Sequence, residues 1–92
     1  MTDRETYIEE MQEQLEVLEV RLNSLEARVA QAKSEAKVEY QRQLQALREQ
    51  QQAVLAQLDE VKESGESAWE HLREGVSNAL EELKKGISQA TL

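Results

Sequence analysis

Residues 8–36 read IEEMQEQLEVLEVRLNSLEARVAQAKSEA, and the apolar positions in that stretch decide the fold. Ile8, Met11, Leu15, Leu18, Leu22, Leu25, Val29, Ala32 and Ala36 are separated by alternating steps of three and four. The mean repeat is therefore about 3.5 residues, the period of helices that supercoil left-handedly around a partner. Polar residues fill the positions between them. The stretch predicts a coiled-coil helix and implies no chemistry by itself.

Composition extends this reading to the whole chain. The 92 residues carry 33% charged side chains, no proline, no cysteine and no phenylalanine, and Trp69, Tyr7 and Tyr40 are the only aromatics. Glu, Gln, Ala, Leu, Lys and Arg dominate, all good helix formers. Glycine occurs only at Gly65, Gly75 and Gly86, so nothing punctuates the first sixty-odd residues. One helix of that length has no interior of its own. Stability must come from folding back, from partner chains, or from both, and the expected form is an obligate homo-oligomer, an antiparallel dimer or a four-helix assembly.

The net charge of −8 argues against a nucleic-acid partner, since phosphate binding needs a basic face. No apolar run approaches the roughly 20 residues that span a bilayer, and no signal peptide precedes the first helix. The lack of cysteine excludes a disulfide framework, and the cytoplasm is the expected compartment. Charge is also uneven along the chain. Residues 1–20 hold seven acids against Arg4, residues 21–62 hold six acids and seven bases, and residues 63–92 hold six acids and three bases. Parallel pairing would set two acidic segments side by side, so antiparallel pairing is expected, with a bias that salt weakens.

Thr2 followed by Glu5 fits a capping box and starts the long helix, expected over 1–62. Beyond Ala36 the stripe continues through Tyr40, Leu44, Leu47, Gln51, Val54, Leu58 and Val61. Two successive steps of four at Ala36, Tyr40 and Leu44 form a stutter that relaxes the supercoil. Gln51 stands at a core position, where a polar residue either fixes register or sits at the edge of the seam. Val17, Val20 and Ala27 lie off the stripe, as scattered surface residues or a minor second seam. A turn is expected over 63–66, where Gly65 offers a helix stop and Ser67 with Glu70 reads as a new capping box. The apolar phase nonetheless runs smoothly through it, so a helical hairpin and one rod with a soft point are both allowed; the coincident glycine and cap favour the hairpin.

From residue 67 onward the chain repeats every eleven residues. SAWEHLREGVS at 67–77 aligns without gaps on NALEELKKGIS at 78–88. On a helical wheel Trp69, Leu72, Val76, Leu80, Leu83 and Ile87 share one face. Ala68, Gly75, Ala79 and Gly86 line one flank, and Arg73 and Lys84 the other. The expectation for 67–92 is an amphipathic helix that packs on another helix across its small flank, with Arg73 and Lys84 covering the seam. A membrane surface is the alternative occupant of that face, but six acids against three bases would repel anionic lipid. Trp69 is expected to be a core anchor, with a partner hot spot or a lipid anchor as the other roles.

Several motifs together resemble a group of small bacterial coiled-coil proteins of unknown function. They are the Tyr7-Ile8 start with Met11, EAKVEY at 35–40 with Leu44, Leu47 and Arg48, and AWEHLREG at 68–75 followed by ALEELKK at 79–85. Members of the group look like EAKxEY, then AWExLKxG, then AWxxL. This chain departs from them at Leu80, where a second tryptophan is often seen, and at His71 and Arg73, where the pattern has an acid and a lysine. The resemblance covers most of the chain, is most specific around Trp69, and implies a non-enzymatic coiled coil.

No catalytic residue, cofactor or metal is expected. His71 and Glu74 are three apart and could share a surface metal, yet one imidazole and one carboxylate in open water make a poor site. Phosphate loops, nucleophile elbows and paired cysteines are absent from the sequence. The expected function is a self-associating scaffold or partner-binding coiled coil, working through a seam of Ile8, Met11, Leu15, Leu18, Leu22, Leu25, Val29, Leu44, Leu47, Leu58 and Val61. A peripheral membrane or stress-protective helix is the alternative. A chaperone-like or inhibitory helix that grips another protein is the third reading.

Overall fold

A computed structural model describes residues 2–90; Met1, Thr91 and Leu92, at the ends of the two expected segments, lie outside the described residues. The described chain is all-α. It forms α1 (Asp3–Gln31), α2 (Ser34–Glu63) and α3 (Trp69–Gln89). Thr2 caps α1, its side chain accepting a hydrogen bond from the Glu5 amide at 3.2 Å, and Asp3 and Glu5 sit at the positive end of the helix dipole. Short connections make α1 and α2 antiparallel and return α3 parallel to α1. The result is a narrow three-helix bundle with extents of 51 × 18 × 18 Å.

The single helix expected over 1–62 is instead two helices, broken at Ala32 and Lys33. Both residues are extended, with φ −69° and ψ 150° at Ala32 and φ −69° and ψ 152° at Lys33. Any L-residue adopts that conformation without strain, so no glycine is needed. Energetics explain the break better than local sequence does. A straight rod would leave the apolar stripe in water, at about 1.5–3 kcal/mol for each large side chain left unburied. Breaking the helix forfeits only a few hydrogen bonds, each worth about 0.5–1.5 kcal/mol net. Folding back wins.

The stripe therefore closes within one chain, and no partner is needed to bury it. Met11, Leu15, Leu18, Leu22, Leu25, Leu47, Val54, Leu58 and Val61 join Trp69, Val76, Leu80, Leu83 and Ile87 in one core. The surfaces read from the sequence as an oligomer seam and a separate C-terminal face are two sides of this interior. Leu44 and Leu72 are half-buried against it, and Val29 is buried further out towards the α1–α2 connection. At the start of α1 the expectation of Ile8 is corrected. Tyr7 takes the core position and Ile8 packs at the edge. Tyr7 gains there what an isoleucine could not use: its hydroxyl lies 2.8 Å from both the Arg73 carbonyl and the Ser77 hydroxyl.

The second connection also differs in detail. Residue 64, not Gly65, ends α2: the Ser64 amide and hydroxyl both donate to the Val61 carbonyl, at 3.3 and 2.7 Å. Gly65 has no positive φ. The capping box expected at Ser67 does not form, because α3 is entered through Ala68 in a right-handed helical conformation with no side-chain cap. Instead the Ala68 and Trp69 amides donate to the Gly65 carbonyl at 3.1 and 3.3 Å. Arg4 fastens the start of α1 over this turn, donating to the Ser64 carbonyl and lying 3.9 Å from a Glu66 carboxylate oxygen.

The small flank of α3 faces α2, as the repeat implied. A Cβ built on Gly86 would lie 2.7 Å from Leu47 Cδ2, and one on Gly75 would lie 3.2 Å from Gln57 Oε1. Glycine at 86 thus sets how closely α3 approaches α2. A Cβ built on Gly65 would meet nothing within 4 Å. The two glycines should respond in opposite directions. Gly86→Val overpacks Leu47 and is expected to destabilise by about 1–3 kcal/mol, whereas Gly65→Ala is expected to stabilise by about 0.4–1 kcal/mol through the unfolded chain. Thermal unfolding followed by circular dichroism checks both signs.

Candidate functional site: the α1–α2 groove and its polar clasp

Three helices leave grooves between neighbours, and the one between α1 and α2 has no lining residue from α3. It is an open trough of about 430 Å³ floored by Leu15, Leu55 and Leu58 and rimmed by Glu16, Glu19, Asp59 and Lys62. Leu15 and Leu58 are core residues seen edge-on, while Leu55 is 38% exposed and is the large apolar side chain this trough presents to solvent. Asp59 and Lys62 pair at 3.7 Å along one lip.

A polar clasp forms one wall. Arg48 on α2 reaches across to α1 with both ends of its guanidinium. Nη1 donates to the two Glu19 carboxylate oxygens at 3.1 and 3.0 Å, and Nη2 donates to Asn23 Oδ1 at 2.9 Å and Glu26 Oε2 at 3.0 Å. Gln51 completes it from the inside. Its side chain is buried, its Nε2 donates to Glu19, and its Oε1 accepts from Arg48 at 3.1 Å. The polar residue at a core position is therefore inside the seam and satisfied, as a buried amide must be. Glu19 is held below the ordinary carboxylate range by the hydrogen bond from Gln51 and then by Arg48, against the opposing effect of burial. Burial works against the Arg48 charge, and its hydrogen bonds to Glu19 and Glu26 outweigh that and hold it protonated.

A second cluster closes the other end of the bundle. The Tyr7 and Trp69 rings pack with centroids 5.7 Å apart and tilted by 39°. The Arg73 guanidinium carbon sits 5.3 Å from the Tyr7 centroid and 5.2 Å from the Trp69 centroid, within cation–π range. Arg73 covers the seam as expected, and Trp69 is buried in the core. Lys84 instead lies 3.4 Å from Glu81 on its own helix. His71 and Glu74 are exposed, and no group of three or more His, Asp or Glu side chains placed to hold a metal occurs among the described residues. None of the described helices is long and apolar enough to cross a membrane. Val17 and Val20, off the main stripe, are exposed at 62% and 68% and form no second seam within the chain.

Sequence reasoning missed the clasp because its partners are 22 to 29 residues from Arg48. Only the turn at Ala32 and Lys33 brings them together. Gln51 at a seam position was the available signal. No protein-family model, curated protein or solved structure matches the chain, so the functional reading rests on these residues alone.

Removing Arg48 leaves the buried Gln51 Oε1 without its donor and Glu19 without its cation, so Arg48→Ala is expected to destabilise by about 1–3 kcal/mol, whereas Gln51→Leu should be nearly neutral because it removes the buried amide itself. Chemical denaturation of the two variants checks the contrast. The pH dependence has a defined sign. The folded pKa of Glu19 lies below its ordinary value of 4.5, so the unfolded state binds protons first and the stability contributed by this carboxylate is lost as pH falls below that value. Glu19→Gln should flatten the stability profile below about pH 4.5 and leave its shape near neutrality unchanged.

Proposed function

We propose that this protein is a non-enzymatic helical interaction module, associating with copies of itself and holding a helix of a partner protein in the α1–α2 groove. The observation that carries the partner-binding half is the open trough floored by Leu15, Leu55 and Leu58, which α3 leaves bare. Its acidic rim and the net charge of −8 favour a partner helix with an apolar stripe between basic flanks. Self-association is favoured by the stripe itself, which continues from α1 into α2 with a single stutter at Ala36, Tyr40 and Leu44. The non-enzymatic part rests on the shape of the hollows, which are open grooves between helices rather than the concave, water-excluding pockets that chemistry needs. A lipid surface would need the face of α3 that carries Trp69, Val76, Leu80 and Leu83, and that face is packed into the core.

Leu55 separates binding from folding because it is the part-exposed residue of the trough floor. Leu55→Glu should leave helix content and melting temperature nearly unchanged. A synthetic cationic amphipathic helix, apolar on one stripe and lysine-rich on its flanks, should bind the native protein and bind the variant roughly tenfold or more weakly, since one leucine contact is worth about 1.5–3 kcal/mol. Titration followed by calorimetry reads both affinities. Equal binding to both proteins, or none to either, overturns the groove assignment.

A further inference from the structure

The joint at Ala32 and Lys33 has neither a side-chain cap nor a glycine or proline to end the helix. Thr2 caps α1 at its start, but α2 begins at Lys33 with no side-chain cap, and α1 ends at Ala32 in extended backbone rather than in a left-handed turn. The flanking residues Gln31, Ala32, Lys33, Ser34 and Glu35 include neither glycine nor proline. The apolar stripe also keeps phase through the joint, with Val29, Ala32, Ala36 and Tyr40 on the face that a continuous helix would share with Leu25 and Leu44. The break is therefore imposed by packing of α1 on α2 and α3. That packing is satisfied equally when the α2 and α3 belong to a second copy of the chain.

We infer that the protein exchanges α1 between two chains, the joint straightening so that residues 3–63 become one helix and two such rods pair antiparallel as a domain-swapped dimer. The inference rests on the self-association half of the proposed function. In the dimer each α3 stays folded on the α2 of its own chain and receives the α1 of the other, giving two three-helix bundles end to end. Every core contact recurs, now between chains: Leu22 remains in the cluster with Leu58 and Leu83, Arg48 still clasps Glu19, and Tyr7 still bonds Ser77. The straightened joint adds the helix hydrogen bonds that the turn forgoes. Against this stands the loss of freedom on joining two chains, so concentration sets the balance. Where the rods cross, the seam consists of Ala32 and Ala36, small enough for close approach.

The test uses a substitution that fits the turn and forbids the rod. Proline takes φ near −65° and favours an extended residue before it, which is the geometry of Lys33 at φ −69° after Ala32 at ψ 150°. Inside a continuous helix the same proline breaks the chain. Sedimentation equilibrium and small-angle scattering from about 1 µM to about 1 mM chain, the range spanning typical effective concentrations of tethered segments, read the outcome. The native protein should pass from 10.6 kDa to twice that mass, and its longest dimension from 51 Å to roughly 90 Å, the length of a sixty-residue helix. Lys33→Pro should remain a 10.6 kDa monomer throughout, with unchanged helix content. Should Lys33→Pro fold poorly, Ala32→Gly combined with Lys33→Gly serves instead, because it makes the rod costly while relaxing the turn. A native protein that stays monomeric across the range overturns both the swap and the self-association reading. Dimers of equal mass and affinity in the native protein and in whichever joint variant folds overturn the swap alone and leave self-association standing.

Discussion

Leu22 on α1, Leu58 on α2 and Leu83 on α3 are sealed from solvent in a single cluster, and the rest of the molecule is arranged to keep them there. The stripe that carries the first two continues through both long helices, with one stutter near the start of α2. It admits two ways out of water: fold the stripe onto itself, or lay it on another chain. Folding needs only a two-residue interruption in unstrained backbone, so the intramolecular solution is available without any special turn residue. The third helix then covers what a simple hairpin would leave bare. Its eleven-residue repeat is close to the pitch of a straight helix, which suits it to a short bundle rather than to a long supercoil.

Apolar burial is not directional, and heptads alone tolerate slippage by a repeat. Polar contacts supply the register. Arg48 and Gln51 bond to Glu19, Asn23 and Glu26 across the α1–α2 interface, and Tyr7 bonds to Arg73 and Ser77 across the α1–α3 interface. A shift of α1 by one heptad would leave the buried Gln51 amide and the Tyr7 hydroxyl unpaired, at about 1–3 kcal/mol each. The glycines of α3 act on a different coordinate. They fix separation rather than register, since Gly86 abuts Leu47.

What could be read from the sequence follows from the range of the interaction involved. Periodicity is local, so the stripe from Met11 to Val61 and the face from Trp69 to Ile87 were legible, and with them the all-α fold. The cap at Thr2 was legible for the same reason. The joint at Ala32 and Lys33 was not, because a break imposed by tertiary packing leaves no mark in helix-forming residues. The break near Gly65 was legible, since α2 ends at Glu63 and α3 begins at Trp69, but its capping was not: Ser64 rather than Gly65 closes α2, and Ser67 does not cap α3. Ile8 lost its expected place to Tyr7 because the choice turned on polar partners some seventy residues away. The groove beside Leu55 needed the fold to exist before it could be seen. Its one trace in the sequence was Leu55 standing beside Val54 on the stripe.

The lengths of the helices add a gradient along the bundle. With 21 residues, α3 is shorter than α1 and α2 by eight and nine. It starts beside Tyr7 and runs out at Ala90, next to Leu25 and Arg28 on one side and Ala46 and Leu47 on the other. Beyond that point the α1–α2 hairpin stands without a third helix, and its interior is reduced to Val29 with half-buried Ala32, Ala36 and Tyr40. Free energy of local opening follows buried contact, so the tip that holds the joint is the least protected part of the core, and the end closed by Tyr7, Trp69, Arg73 and Arg4 the most. A bundle built this way yields first at the connection between α1 and α2. The uncapped joint and the missing third layer coincide, so the segment with least to hold it bent is also the one whose straightening disturbs the fewest contacts.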